Sequence, residues 1–344
     1  MKRWNTAQML KIGQQLFAKM HKRKFHAHHN ADIHFFAREI DDLLPAGVKA
    51  LQNGTYSPRN LKRYHFPDEM VYQLHPTDRV LQHILLKILK PTFKHVMNPS
   101  CFHLHGPTGV KYATEHIKKA LIEKQPTYLI RADIKSYYKS IIQFKLIQDI
   151  KENYDDTKLI TMLENIITNP IDTPRGTRNP INGVALRGPL SQFFSALYLK
   201  KLDDAFLNSD VTYVRYQDYL LILCQTKRQF LRARRKLMEV LQERHLTLSR
   251  KKSRMGLMTN FHFLGISYFP TQLEDNTIER QVESHTRSPA LTYWGAQTQP
   301  NLPANNEQYL DDMGGGSQLL SIYCRRSALR HMRAHCGRQG FKYS

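Results

Sequence analysis

Two aspartates stand where strand-like runs end. Asp133 closes "TYLIRADI" (127–134), a β-branched and aromatic run of the kind that fills a buried strand. Asp218 stands between two further runs, in "YVRYQDYLLIL" (213–223), at the tip of a tight hairpin. Carboxylates at the ends of adjacent strands can converge on one spot. Two hard oxygen ligands suit Mg²⁺, which keeps several waters and takes phosphate oxygens as further ligands. A pair of such ions, about 3.5–4 Å apart, activates an attacking hydroxyl and stabilises a leaving phosphate. On spacing alone Asp133 reads equally well as a helix N-cap after a strand. Asp218 has a weaker structural explanation. A type I′ turn favours Asp but wants Gly beside it, and here Gln217 and Tyr219 flank it.

The elements that must position these groups can be read from periodicity. Apolar residues at helical spacing predict helices over 5–20, 31–44, 78–96, 112–124, 143–151, 188–206 and 227–245. Thr77 or Asp78 is the expected cap of the third, and Pro91 is expected to end or kink it. "FHFLGISYF" (261–269) reads as one strand in which Gly265 marks a bulge. Strand, helix, helix, hairpin, helix and strand in that order predict an α+β fold, a small antiparallel sheet backed by helices.

Charge narrows the partners. Among 344 residues, 51 Lys and Arg face 29 Asp and Glu, a net charge of +22. Such an excess repels itself unless a polyanion neutralises it, and nucleic acid is the leading candidate. The basic helix 227–236 and residues 250–254 are the expected phosphate contacts. No apolar run approaches the ~18 residues of a membrane span, so no membrane partner is expected. The first residues carry no apolar core of the secretory type, so no signal peptide is expected. Cys101, Cys224, Cys324 and Cys336 lie far apart and form no CxxC, which fits a reduced, cytoplasmic chain. The His-rich "HKRKFHAHHNADIH" (21–34) reads as a loop or nucleic-acid contact ahead of a metal site. After about residue 270 the pattern decays into linker composition, "QTQPNLPANN" and "MGGGSQ". Cys324, His331, His335 and Cys336 there lack the paired spacing of a zinc site.

Taken together these segments resemble the palm and fingers of reverse transcriptases, especially the bacterial group near group II intron and retron enzymes. "RADIKSYYKSI" is similar to motif A, "GVALRGPLSQFFSALYL" to motif B, "RYQDYLLIL" to motif C, "LTLSRKKSRMG" to motif D and "FHFLGISY" to motif E. The resemblance spans about residues 50–270, with fingers over 51–125, a palm over 126–270, a basic helical region over 1–50 and a degenerate segment over 271–344. It implies RNA-directed DNA polymerase activity: transfer of deoxynucleotides from their triphosphates onto a DNA primer on an RNA template, with Mg²⁺ or Mn²⁺. By the same resemblance Asp133 and Asp218 hold the metals. Tyr138 is the aromatic that excludes a ribose 2′-hydroxyl, or else a core tyrosine. Ser191 and Gln192 lie near nucleotide and template, and an N-cap is the other reading of Ser191. Tyr216 packs near the primer end, Lys252 approaches the triphosphate, Arg79 with Lys62 or Arg63 adds fingers charge, and Phe263, Leu264 and Gly265 support the primer.

Three features depart from the family pattern. Tyr219 replaces the second aspartate of motif C, which implies an impaired site. Ala185-Leu186-Arg187-Gly188 stands where a Pro-Gln-Gly approach is usual. A helical thumb after motif E is not apparent. These departures keep a second reading open, a non-catalytic, maturase-like RNA binder. A third is untemplated synthesis of the kind known in phage-defence relatives. "NYDDTK" (153–158) contains Tyr-Asp-Asp but has charged flanks and precedes motif B, so it reads as a helix end.

Overall fold

The computed structural model describes residues 5–65, 70–185 and 188–269. The expected C-terminal linker, the missing thumb, the Cys/His tail, and Leu186 and Arg187 lie outside these described residues. The chain opens with helices α1 (Thr6–Arg23), α2 (Asp32–Arg38) and α3 (Ile40–Asn53), then strands β1 (Leu61–His65) and β2 (Met70–Gln73). Helix α4 (Pro76–Val96), a 3-10 segment (Phe102–Thr108) and α5 (Gly109–Lys124) lead to β3 (Tyr128–Asp133). Next come α6 (Tyr137–Ser140), α7 (Gln143–Asn153), α8 (Thr157–Ile167), β4 (Ile171–Thr173) and β5 (Gly176–Arg178). The described part ends with α9 (Ser191–Tyr198), α10 (Lys200–Phe206), β6 (Thr212–Tyr216), β7 (Tyr219–Cys224), α11 (Lys227–Glu243), β8 (Arg254–Leu257), β9 (Phe261–Phe263) and β10 (Ile266–Tyr268).

The expected α+β architecture is present. Its centre is an antiparallel sheet in the order β6-β7-β3-β8. Strand alternation sends successive side chains to opposite faces. Ile130, Ala132, Leu220, Ile222 and Tyr213 point to one face and join the main core, which also takes in α9, α10 and α11. Leu129, Leu221, Leu223 and Val214 point to the other, against α5, Phe261, Phe263 and Tyr268. The period-2 rule puts Asp133 and Tyr219 on this second face. The main core is continuous from Met9 through Leu85 and Ile130 to Leu246. Fully burying each such aliphatic side chain is worth about 1.5–3 kcal/mol. Among the described residues no helix is long and apolar enough to cross a membrane.

Several local expectations change. Helix α4 continues past Pro91 to Val96, so the proline does not end it. One missing hydrogen bond is outweighed by Val80, Leu81, Ile84, Leu85, Ile88 and Leu89, all buried. Asp78 is not a cap. It is buried and accepts from the Tyr56 hydroxyl at 3.0 Å and the Arg59 N–H at 3.2 Å. The predicted helices over 31–44 and 188–206 each break once, at Glu39 and at Leu199. Residues 261–269 form a hairpin, not one strand. Leu264 and Gly265 both have left-handed φ, 53° and 80°, as a type I′ turn requires. A second sheet, β2-β1-β4-β5, was not anticipated. Its strands β4 and β5 have three residues each, too few for a periodic signal. The Tyr-Asp-Asp of 154–156 is, as expected, a helix end and short loop: Tyr154 caps the end of α7, and Asp156 caps the start of α8 by accepting from the Leu159 N–H at 3.2 Å.

Candidate active site

The two aspartates come together at one end of the central sheet. In the β3–β7 ladder Asp133 lies directly opposite Tyr219, so Asp218 is one residue beyond it. The Ile134 N–H donates to the Asp218 carbonyl at 3.1 Å, which closes the gap between the turn and the end of β3. Only Gln217 of the two turn residues has positive φ, 56°.

The backbone of Asp133 is braced from the other side. Its N–H donates to Ser253 Oγ at 3.1 Å, and its carbonyl accepts from the Ser249 N–H at 2.8 Å. This brace delivers Lys252, whose Nζ lies 3.4 Å from Asp133 Oδ2 and 5.9 Å from the centre of the Tyr219 ring. Asp133 is 4% exposed, and Oδ2 accepts no aligned hydrogen bond. Burial first, and the charge of Asp133 second, push the Asp218 carboxyl up to about 6.

The turn is held from beneath by a charge the sequence did not flag. Arg215 has no exposed surface. Its Nε donates to Asp203 Oδ1 at 2.7 Å and its Nη2 to Asp203 Oδ2 at 2.5 Å. The same guanidinium reaches the carbonyl of Gln217 at 3.2 Å, the carbonyl of Ala196 at 3.1 Å and Cys101 Sγ at 3.0 Å. The Tyr213 hydroxyl completes Asp203 at 2.6 Å. Burial disfavours the guanidinium charge, but Asp203 more than restores it, so Arg215 stays protonated. His103 is the second hidden brace. The Gln217 N–H donates to its Nδ1 at 3.1 Å, and it bonds the backbone of Gln192 on α9. Burial, then Arg215, hold its imidazole neutral. A lone Arg in a strand and a His in a short 3-10 segment carry no local mark of such roles.

The other predicted residues divide. Tyr216 pairs with Tyr219 across the turn and meets His103 edge-on at 6.0 Å. Ser191 is the first residue of α9, not its cap, and its hydroxyl donates to the Ala185 carbonyl. Gln192 follows it, half-buried. Tyr138 is 8% exposed, its hydroxyl 3.4 Å from Ser195 Oγ, so most of its ring is core. Arg79 lies on α4. Its charge is felt by Lys24 and His83, while Asp218 feels Asp133, Lys252 and Arg215. Lys62 pairs with Asp32 at 2.7 Å. The basic helix 227–236 is also elsewhere: α11 packs on the face of the sheet opposite Asp133. On the Asp133 face, Arg131 and Arg254 lie directly opposite each other in the β3–β8 ladder. That cross-strand pair had not been singled out.

The model of the reverse transcriptase (RNA-dependent DNA polymerase) family matches residues 70–268, more than half of the chain. The chain belongs to this family. Every element just described, from β2 to β10, lies within the matched reverse transcriptase region. No curated protein matches the chain. Similar solved structures include apo telomerase from Candida tropicalis truncated from its C-terminal domain, at 13% identity and a TM-score of 0.44. That match covers 56% of this chain and 44% of the telomerase. Telomerase from Candida albicans with a fragment of telomeric RNA gives 13% identity and 0.42, covering 56% and 36%. The chain therefore spans less than half the length of either.

Two outcomes follow from this geometry. Asp203→Ala leaves the Arg215 guanidinium buried without its carboxylate and should cost about 3–5 kcal/mol in a urea unfolding midpoint. Arg215→Met with Asp203→Leu should cost much less than the single change. Asp218 binds its proton more tightly folded than unfolded, so stability falls as pH rises from about 4 to about 6, and the full cost of ionising it is present above that. With divalent cations chelated, Asp218→Asn should therefore stabilise the chain by about 2 kcal/mol at pH 7–8, and the gain should vanish below about pH 4.

Proposed function

We propose that the chain is an RNA-directed DNA polymerase of the kind found with bacterial group II introns and retrons, adding deoxynucleotides to a primer 3′-end. The observation that carries this reading is the meeting of Asp133 and Asp218 at the end of paired strands. Family membership supports the nucleotidyl transfer. The motif resemblance supports the subclass and a division into fingers over 51–125 and palm over 126–270.

The residues fit a divalent cation. Asp133 Oδ2 is buried without an aligned hydrogen bond, and Asp218 is ionised only against burial and a neighbouring like charge. Among the described residues no third carboxylate, His or Cys joins them, which matches an ion that draws its remaining ligands from water and phosphate. Mg²⁺ or Mn²⁺ held by Asp133 and Asp218 would make the primer hydroxyl a better nucleophile and neutralise the triphosphate. Lys252 turns from Asp133 toward the triphosphate as a point charge. Arg131 and Arg254, side by side on the same face, offer two cations to the primer backbone. Arg215 and His103 act through the turn as positioning residues, since neither reaches the open face.

One observation favours the second reading, a non-catalytic RNA binder. The residue opposite Asp133 in the ladder is the phenol of Tyr219, and Lys252 already sits over both. Primer extension on an RNA template with Mg²⁺ or Mn²⁺ separates the two. The polymerase reading expects slow extension, at least tenfold faster in Tyr219→Asp and at background in Asp133→Ala. Extension that survives Asp133→Ala would overturn the site. If neither the chain nor Tyr219→Asp extends, yet RNA binds with a steep salt dependence, the binder reading stands.

A further inference from the structure

We infer that the outer face of α11 is a second nucleic-acid surface, which holds RNA outside the primer–template cleft. The inference rests on the reading of the Asp133 face as that cleft. Helix α11 buries Ala233, Leu237 and Val240 against the opposite face of the sheet. A helix is about 10–12 Å across with its side chains, and the sheet lies beyond it. The sheet and the thickness of α11 therefore separate its far side from a duplex seated at Asp133.

The charges on that far side are only partly neutralised among the described residues. Arg232 pairs with Asp210, Lys236 donates to the Ala205 carbonyl, and Lys201 pairs with Glu243. Lys227, Arg228, Arg234 and Arg235 are exposed, and none has a carboxylate partner among the described residues. The first turn holds Lys227 and Arg228 and no acidic residue, against the preference of a helix dipole for negative charge there. Four cations kept at a cost, on one face, fit a polyanion. Leu231 and Met238, each 47% exposed, lie between them and offer apolar contact to sugars or unstacked bases. The occupant is RNA, because the template proposed for the cleft is RNA, and a strand that leaves the cleft stays at high local concentration around the same molecule.

The test uses the full chain and the triple variant R228E/R234E/R235E. Binding of an RNA hairpin, and separately of a short primer–template duplex, is measured by fluorescence anisotropy across a salt series. The expected result is a fall of about three in the log–log salt slope for the hairpin, with short-duplex binding unchanged. A proportional loss for both ligands would make α11 part of the cleft and overturn the inference. So would an equal loss from the same charge change at exposed Lys11, Lys49 and Lys158. Loss of binding to anionic vesicles, with RNA binding intact, would assign the face to a membrane surface instead. Failure of the unmodified chain to bind the short duplex would sink the cleft reading, not this surface.

Discussion

A guanidinium without access to water sits under the turn that carries Asp218. Arg215 could not remain charged there alone, because burying an ion costs several kcal/mol. Asp203 supplies the opposite charge, and three further acceptors take the remaining donors: Gln217, Ala196 and Cys101. These partners come from α10, α9, the turn itself and the start of the 3-10 segment. The charge thus requires four separate pieces of chain to arrive in one arrangement. His103 adds a fifth link, between the turn and the start of α9. The position of Asp218 is therefore set by a satisfied buried network, and not by the turn residues, of which Gln217 is held in an unfavourable left-handed conformation.

Above this network the balance of charge is reversed. The charge of Asp133 adds to burial in raising the cost of ionising Asp218, and water is largely excluded. Lys252 offsets part of that cost, and the Tyr219 ring gives the ammonium a second surface to rest on. On the proposed reading, the site is a place where negative charge is held ready for a cation. Tyr219 sets how far that readiness goes, since it occupies the ladder position opposite Asp133 with a neutral group.

The two aspartates were legible in the sequence because their cues are local: apolar runs that stop at a carboxylate, and a hairpin tip with no Gly. The helices were legible for the same reason. What holds the aspartates was not. Arg215 alternates in "YVRYQ" as an outward polar residue would, and its partner Asp203 lies twelve residues earlier, on α10. His103 has no flanking pattern at all. The breaks at Glu39 and Leu199 and the passage of α4 through Pro91 are decided by packing, which periodicity does not report. The basic run of α11 was legible as an exposed charged helix face, but only the alternation of β3 and β7 shows that it faces away from Asp133. The short β4 and β5 fall below the length at which any period can be counted.

The central claim is that Asp133 and Asp218 form a single cation site. It is tested most directly by Mn²⁺ binding, followed by electron paramagnetic resonance of the free ion, in the chain, in Asp133→Asn, in Asp218→Asn and in the double variant. The account predicts one class of site that either single change removes, with no further loss in the double variant. Two independent losses that add in the double variant, or binding unchanged by both, would contradict it.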